Sequence, residues 1–476
     1  MSENHCAFFL EKKKRHCRFR PNKGQAYCAE HIGVLGIPTD RKRIVCPLDS
    51  KHTCYEDQLD KHLKKCRKQQ GALPAYHCPG INSGECSSAE TDEKIALSTV
   101  STEKLKNLIT KINTLHEEYV KIPSEILSHS CLNKELCNDS YGIPAIRHRK
   151  QQASLIGHLQ KMNLIKDDMT YIELGAGKGM LSHWIQKAGE DTKSCNYVLV
   201  DRGTCRYKAD NFHKWEDNGP KFERIRIDIE HLNLGKVKTI SEDNNPVVAV
   251  GKHLCGSATD LAFRCITQTL TDQNKCNEPE EKRLKRSKCE KFGGLSIALC
   301  CHHRCQWKPY VGKSFFTNNG FSVRDFNILC KLSSWTAATW SGWKSVQEMK
   351  ASLGISETDS GDKTSRDHAS EDSKRTGAKG DSSVPGDNGD TLREDDIDSS
   401  DSETDLKPED DGRTSFKRED LTLTYKEREE IGRKCKRLID YGRLEFLKEQ
   451  GLNSDMKVYI EEQLTPENVA IFATPT

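Results

Sequence analysis

Residues 171–180 read Tyr171-Ile172-Glu173-Leu174-Gly175-Ala176-Gly177-Lys178-Gly179-Met180. An apolar run (Met169, Tyr171, Ile172, Leu174) leads into glycines at alternate positions, and the segment that follows, MLSHWIQKAG, has helical character. A strand, a tight glycine turn and a helix in that order present open backbone N–H groups to a ligand. The glycine spacing separates ligand classes. Dinucleotide sites use GxGxxG, whereas this turn is GxGxG behind an acidic residue. Glu173, Gly175, Gly177 and Gly179 are therefore the candidate ligand contacts in the turn.

Downstream the chain alternates strand and helix, the pattern of a mostly parallel sheet covered on both faces. Expected strands are 169–174, 197–200, 222–227, 246–250 and 294–299. Ligands on such sheets bind beyond the C-terminal strand ends, and polar residues fall there in order. Asp201 follows the second strand and is placed to accept from ribose hydroxyls. Asp228 follows the third, the usual position for contact with an adenine amino group. Lys252 and His253 follow the fourth, where catalytic groups are expected. This sequence of features is that of S-adenosylmethionine-dependent methyltransferases, and Glu173 suits the cationic methionine end of that cofactor. The expected fold class is α/β, a Rossmann-like class I methyltransferase domain. A helix at 144–166, carrying Arg147, His148, Arg149 and Lys150, precedes it. A helix from 424 and a strand–turn–strand segment close it.

The cofactor brings its own leaving group, so the protein must align an acceptor and take up its proton. Lys252, His253 and His302 are the candidate catalytic residues. His302 lies in the run Cys300-Cys-His-His-Arg-Cys305. A metal reading of that run counts Cys300, Cys301, His302, His303 and Cys305, but adjacent ligands on an extended chain point to opposite faces. The run reads better as a wall of the acceptor pocket. Thiolate attack by Cys300 or Cys301, as in base methylation, stays open as an alternative.

The chain has 476 residues, 30% charged and 35% hydrophobic, with 21 cysteines and a net charge of only +3. That length allows two or three domains. The small net charge hides segregation: residues 1–70 carry twice as many Lys and Arg as Asp and Glu, and about 356–412 is acidic. The acidic stretch is too poor in apolar residues to offset its ordering entropy; it is expected to be a disordered insertion. No apolar run approaches a membrane span, and the start lacks the pattern of a secretion signal. The expected location is intracellular, in nucleus or cytoplasm, where cysteines serve ligation or catalysis more often than disulfides.

Two closed sets of four potential zinc ligands precede the α/β region. Cys6, Cys17, Cys28 and His31 form a CCCH set among basic residues. Cys46, His52, His62 and Cys66 form a CHHC set, with His62 and Cys66 four apart on one helical face. Segments this short have little other means of folding, and their basic character suits RNA; a scaffold or protein-docking role is the alternative. The expected division is a CCCH finger at 1–35, a CHHC finger at 43–70, and a linker with an amphipathic helix at 71–140. The methyltransferase core follows at 141–350, the acidic insertion at 351–420 and the closing helix and hairpin at 421–476. The helix at 101–122 has heptad-like spacing, open to a short coiled coil or to intramolecular packing.

The chain resembles the eukaryotic tRNA ribose 2′-O-methyltransferases that act at nucleotide four of the acceptor stem, the tRNA:m(4)X modification enzymes. The matching features are both Cys/His sets, ELGAGKG (173–179), VGKHLCG (250–256), ALCCHHRC (298–305) and IGRKCKRLIDYGR (431–443). The second finger is also similar to a CHHC finger of an RNA-splicing protein. The resemblance implies S-adenosylmethionine as donor, zinc in two ions, and tRNA as the partner, with no protein partner inferred. No match is seen to the Lys-Asp-Lys-Glu tetrad of other ribose methyltransferases. A catalytically inactive zinc-finger RNA-binding protein and a tRNA base methyltransferase are the competing readings.

Overall fold

A computed structural model describes residues 5–336 and 416–476, less short stretches before residue 95, residues 139 and 419–420, and the segments 206–220 (209 excepted) and 271–290. Residues 351–415 of the expected acidic insertion lie outside the described residues. The described chain forms two compact units, Met1–Pro74 and Ala75–Thr476.

The first unit contains two small ββα pieces. β1 (Phe9–Leu10) and β2 (Arg15–His16) form a two-stranded hairpin, followed by α1 (Ala29–Val34). β3 (Arg43–Cys46) and β4 (Asp49–Tyr55) pair antiparallel, followed by α2 (Leu59–Leu63).

The second unit begins earlier than the expected boundary at 141. Tyr76 packs against the sheet's core, and buried Asn82 donates to the carbonyls of Ile229 and Leu232. α3 (Thr102–Tyr119) starts on a Ser101 cap and buries Leu105, Leu108, Ile112 and Leu115. These residues pack with Trp307, Tyr310, Phe316 and Phe326 of the same chain, so the heptad-like spacing serves an intramolecular contact. Each buried aliphatic contributes roughly 2 kcal/mol.

After α4 (Asn133–Leu136), α5 (Ile143–Lys161) leads into the sheet. The chain then runs β5 (Thr170–Leu174), α6 (Met180–Ala188), β6 (Asn196–Asp201), β7 (Lys221–Arg226), α7 (Lys238–Ser241), β8 (Val247–Cys255), α8 (Ser257–Leu270) and β9 (Phe292–Cys300). It continues through α9 (Lys313–Asn318), α10 (Val323–Ser333), β10 (Phe416–Arg418), β11 (Leu421–Leu423), α11 (Tyr425–Glu449), β12 (Leu452–Val458) and β13 (Val469–Pro475). The β10–β11 hairpin begins inside the stretch expected as insertion; Phe416 and Leu421 are apolar enough to pack on the aromatic cluster.

The seven-stranded sheet has the order β12-β13-β9-β8-β5-β6-β7. β13 is antiparallel to both its neighbours, and the other pairings are parallel. Alternation sets its two faces. Ile172, Leu174, Val198, Val200, Val247 and Ala249 face one core with Phe263 and Ile266 of α8 and Leu447 of α11. Tyr171, Tyr197, Leu199, Val248 and Val250 face the other with Leu155 and Ile156 of α5 and Ile185 of α6. From β5 the chain works outward to β7, then returns to β8 on the opposite side. The crevice beyond β5 and β8 is therefore the switch point of the sheet, where ligands bind.

Candidate active site and metal centres

Both sides of that crevice carry sequence-predicted residues. On the β5 side, Gly175, Gly177 and Gly179 all have positive φ, at 69°, 48° and 80°. L side chains rarely adopt this backbone. A Cβ at Gly175 would also stand 3.2 Å from Leu254 Cδ2. The turn is braced by groups from neighbouring strands. Gly177 N–H donates to Asp201 Oδ2 at 2.8 Å, and Arg224 Nη1 of β7 donates to Gly177 O at 2.7 Å. Asp201 Oδ1 accepts from Gly203 N–H at 2.6 Å. Asp228 accepts from Glu230 N–H at 3.1 Å, capping a short helical turn.

Glu173 is placed differently from a residue waiting for a cation. It is buried, and its Oε2 accepts from the backbone N–H and the hydroxyl of Ser182, at 2.9 and 2.6 Å. Burial pushes its carboxyl up to about 7, against the pull of Ser182, Arg224 and Lys252. The visible contacts make it a brace for the first turn of α6.

On the β8 side the strand does not end at 250 as expected. It continues to Cys255 through a bulge: Gly251 lies opposite Ile297 and Leu254 opposite Leu299, so Lys252 and His253 together face Ala298 alone. Bulges re-aim side chains and are frequent beside active sites. Lys252 is buried, with Nζ at 2.7 Å from His148 Nδ1 and 3.0 Å from Gln151 Oε1. His253 is exposed, and its ring stands edge-on to His148, centroids 5.7 Å apart. α5 thus brings His148 and Gln151 to the crevice. Arg149, on the same basic stretch, turns to Glu135 and to the Tyr141 ring instead.

His302 is not at the crevice surface. Its exposure is 0%, with Nε2 at 2.7 Å from Asp440 Oδ1 and Nδ1 at 3.5 Å from Glu467 Oε2. Burial alone would lower its imidazolium; the two carboxylates outweigh that and hold it up to about 9. Asp440 also meets Arg443 Nη1 at 3.3 Å, and Arg443 forks onto Asp260 at 3.1 and 2.7 Å. Arg443 Nη2 donates onward to Gly256 O. His302, expected as a catalytic residue, is enclosed in a buried ionic network that ties α11 to the ends of β8 and β9. Its partners lie more than a hundred residues away in sequence, which local spacing cannot reveal.

The metal-ligand candidates cluster as follows. Ligand atoms of Cys6, Cys17, Cys28 and His31 all lie within 4.8 Å of one another, as do those of Cys46, His62 and Cys66. His31 Nδ1 is 3.4 Å from Cys6 Sγ and 3.3 Å from Cys28 Sγ, and Phe8 stacks on its ring. His62 Nε2 is 3.2 Å from Cys46 Sγ, which is 3.8 Å from Cys66 Sγ. The His52 side chain lies outside the described residues. Thiolate and imidazole donors at these separations suit a tetrahedral zinc ion.

Arg224, Ser182, Gln151 and Cys255 were not found by sequence reasoning. Arg224 and Gln151 carry no local signal. Cys255 has one, standing at the end of VGKHLC.

The second unit thus sets a glycine turn beside a bulged strand at the switch point of a mostly parallel sheet, the place where such sheets bind their ligands. The family model described as Methyltransferase TRM13 matches residues 150–474. Models described as the CCCH zinc finger in TRM13 protein and the U11-48K-like CHHC zinc finger match residues 4–32 and 43–67. The chain is 36% identical to the Mus musculus tRNA:m(4)X modification enzyme TRM13 homolog, across 99% of this chain and 95% of that one. It is 35% identical to the Homo sapiens homolog, across 100% and 95%, and 27% identical to the Saccharomyces cerevisiae tRNA:m(4)X modification enzyme TRM13, across 98% and 95%. The chain belongs to the TRM13 methyltransferase family. No helix among the described residues is long and apolar enough to cross a membrane.

Proposed function

We propose that this chain is an S-adenosylmethionine-dependent tRNA methyltransferase acting on the ribose 2′-hydroxyl of nucleotide four in the acceptor stem. The tRNA substrate class rests on the relatives named as tRNA:m(4)X modification enzymes. The observation that carries the catalytic reading is the bulge that sets Lys252 and His253 beside the glycine turn. The cofactor fits this edge: three left-handed glycines lead into α6, where a Cβ at Gly175 would crowd Leu254, and Asp201 and Asp228 follow at the next strand ends. The strand order, with its final antiparallel hairpin, supports the class I Rossmann-like assignment.

The bound cofactor supplies an electrophilic methyl group with a good leaving group. The chain must orient a ribose hydroxyl in line with it and remove the hydroxyl proton. Lys252 is held by His148 and Gln151 and positions the acceptor oxygen; exposed His253 is the nearer candidate for the proton. A Cys300 thiolate is a poor alternative nucleophile. Its hydrogen bonds with the Cys255 and Cys301 thiols, and burial, raise it well above the usual thiol range. That observation disfavours the base-methylation reading.

The two fingers, each with one zinc ion, supply basic surface for the phosphate backbone. A-form RNA is read by shape and 2′-hydroxyls across its minor groove, and such binding weakens with salt. The test is methyl transfer from labelled cofactor to a panel of tRNAs, with the modified nucleotide mapped after alkaline hydrolysis. A ribose methyl makes the following linkage resistant to alkali, and a base methyl does not. Lys252→Ala should lower kcat by roughly 10²–10⁴-fold with the thermal transition retained. Full activity in that variant would remove Lys252 from the mechanism.

A further inference from the structure

One cluster beside the site has been given no role so far. Cys255 ends β8 and Cys300 ends β9, and the parallel register sets them side by side. Their Sγ atoms are 3.9 Å apart. Cys301 joins them, and all three sulfur atoms lie within 4.8 Å of one another.

Consecutive residues of a strand point to opposite faces, so Cys300 and Cys301 should not converge. Cys301 does so because it leaves the strand in the left-handed region, at φ 52° and ψ 43°. Among the described residues, the other non-glycine residues at positive φ are Asn163, Asp168 and Ser194. Asn and Asp tolerate this region through local side-chain hydrogen bonds. Cysteine has no such excuse, and backbone strain of this kind gathers at functional sites.

The spacing separates two uses of gathered sulfur. A disulfide needs about 2.05 Å and takes two sulfurs, leaving the third unused. Thiolates on one tetrahedral zinc, with bonds near 2.3 Å, stand about 3.8 Å apart. The Cys46–Cys66 pair, inside a set matched by a zinc-finger family model, shows 3.8 Å. The Cys255–Cys300 pair at the strand ends, at 3.9 Å, stands within 0.1 Å of that separation.

We propose that Cys255, Cys300 and Cys301 bind a third zinc ion at the C-terminal ends of β8 and β9, with its fourth coordination position open to an exchangeable oxygen ligand. Among the described residues no fourth Cys, His or carboxylate shares the mutual spacing of the three. Three protein ligands and one open position is the pattern of reactive rather than purely structural zinc. Each thiol gives up its proton to solvent as the metal binds. The site lies next to the Lys252 group: Tyr459 neighbours Cys300 and hydrogen-bonds Gln151, which in turn holds Lys252.

Zinc per chain, measured by mass spectrometry on full-length protein equilibrated with zinc under reducing conditions and then desalted, tests this. Wild type should carry three ions, one for each cluster. The Cys300→Ser/Cys301→Ser double variant should carry two, and Cys66→Ser should lose one while leaving the strand-end ion in place. The wild-type count decides even if a variant fails to fold. A wild-type count of two, or a folded double variant with an unchanged count, overturns the proposal. So does an intact mass two hydrogens lower, which marks a disulfide.

Discussion

The two compact units are held together by opposite means. Among the described residues, the hydrophobic cluster of Met1–Pro74 is Cys6, Cys17 and Cys28, with Phe8 and Tyr27 against them. This unit leaves Phe19, Val34 and Val45 more than half exposed. Ala75–Thr476 buries an aliphatic layer on each face of its sheet and a third, aromatic cluster around α3, α10 and α11. Segments as short as the fingers cannot bury enough surface to fold without a metal or another staple. In the first unit, therefore, the residues that would bind zinc are also the fold. In the second, the hydrophobic clusters are built without Lys252 and His253, which leaves these two residues free for the chemistry proposed for them.

Removing metal should break this comparison most sharply. Structural zinc contributes on the order of 10–16 kcal/mol to finger peptides. The paired variant Cys17→Ser/His62→Ala, which leaves the strand-end cysteines untouched, should leave residues 1–74 open to proteolysis, while the main thermal transition of the second unit stays in place. Loss of both units together would show that the fingers and the sheet do not fold independently.

Next in size is the buried ionic network of the second unit. Asp440→Ala leaves His302 and Arg443 buried beside a missing counter-charge. Such a break costs roughly 3–5 kcal/mol, read as a lower urea midpoint with finger zinc content unchanged. The same network gives an alkaline signature. Free imidazole titrates near ~6.5, and His302 is raised to about 9 in the folded chain. Its contribution is complete below the unfolded value and is lost as pH rises through 9. Stability of the second unit should thus fall between those limits, and the fall should vanish in His302→Gln.

The smallest expected effect is at a helix start. Thr424 and Glu427 form a capping box on α11, with both reciprocal bonds present. Thr424→Ala should cost about 1 kcal/mol, visible as a shift of the second unit's transition alone.

What could be read from the sequence follows from range. The glycine turn and the strand ends at Asp201 and Asp228 are local patterns, and they recur in the structure with shifts of one or two residues. The extension of β8 through Cys255 was missed because Gly251 and Lys252 read as the end of a strand; pairing with β9 overrides them. The start of the second unit at Ala75 was missed because residues 75–85 are rich in Pro and Gly, and their order comes from hydrogen bonds to residues 229–232. His302 was misplaced because Asp440 and Glu467, its partners, are far along the chain. The convergence of Cys255 with Cys300 and Cys301 needs both a parallel register and a left-handed cysteine, neither of which spacing shows.

The central claim is that the glycine turn seats a methyl donor in the second unit while nucleic-acid affinity resides largely elsewhere. Calorimetric titration of the full chain with S-adenosylmethionine, for wild type and Gly175→Val, tests it most directly. At φ 69°, with Leu254 Cδ2 already 3.2 Å from a Cβ, valine should close the cradle. The account predicts a binding heat in wild type and none in the variant, with tRNA affinity and zinc content unchanged. No heat in wild type, or equal loss of cofactor and tRNA binding in the variant, would contradict it.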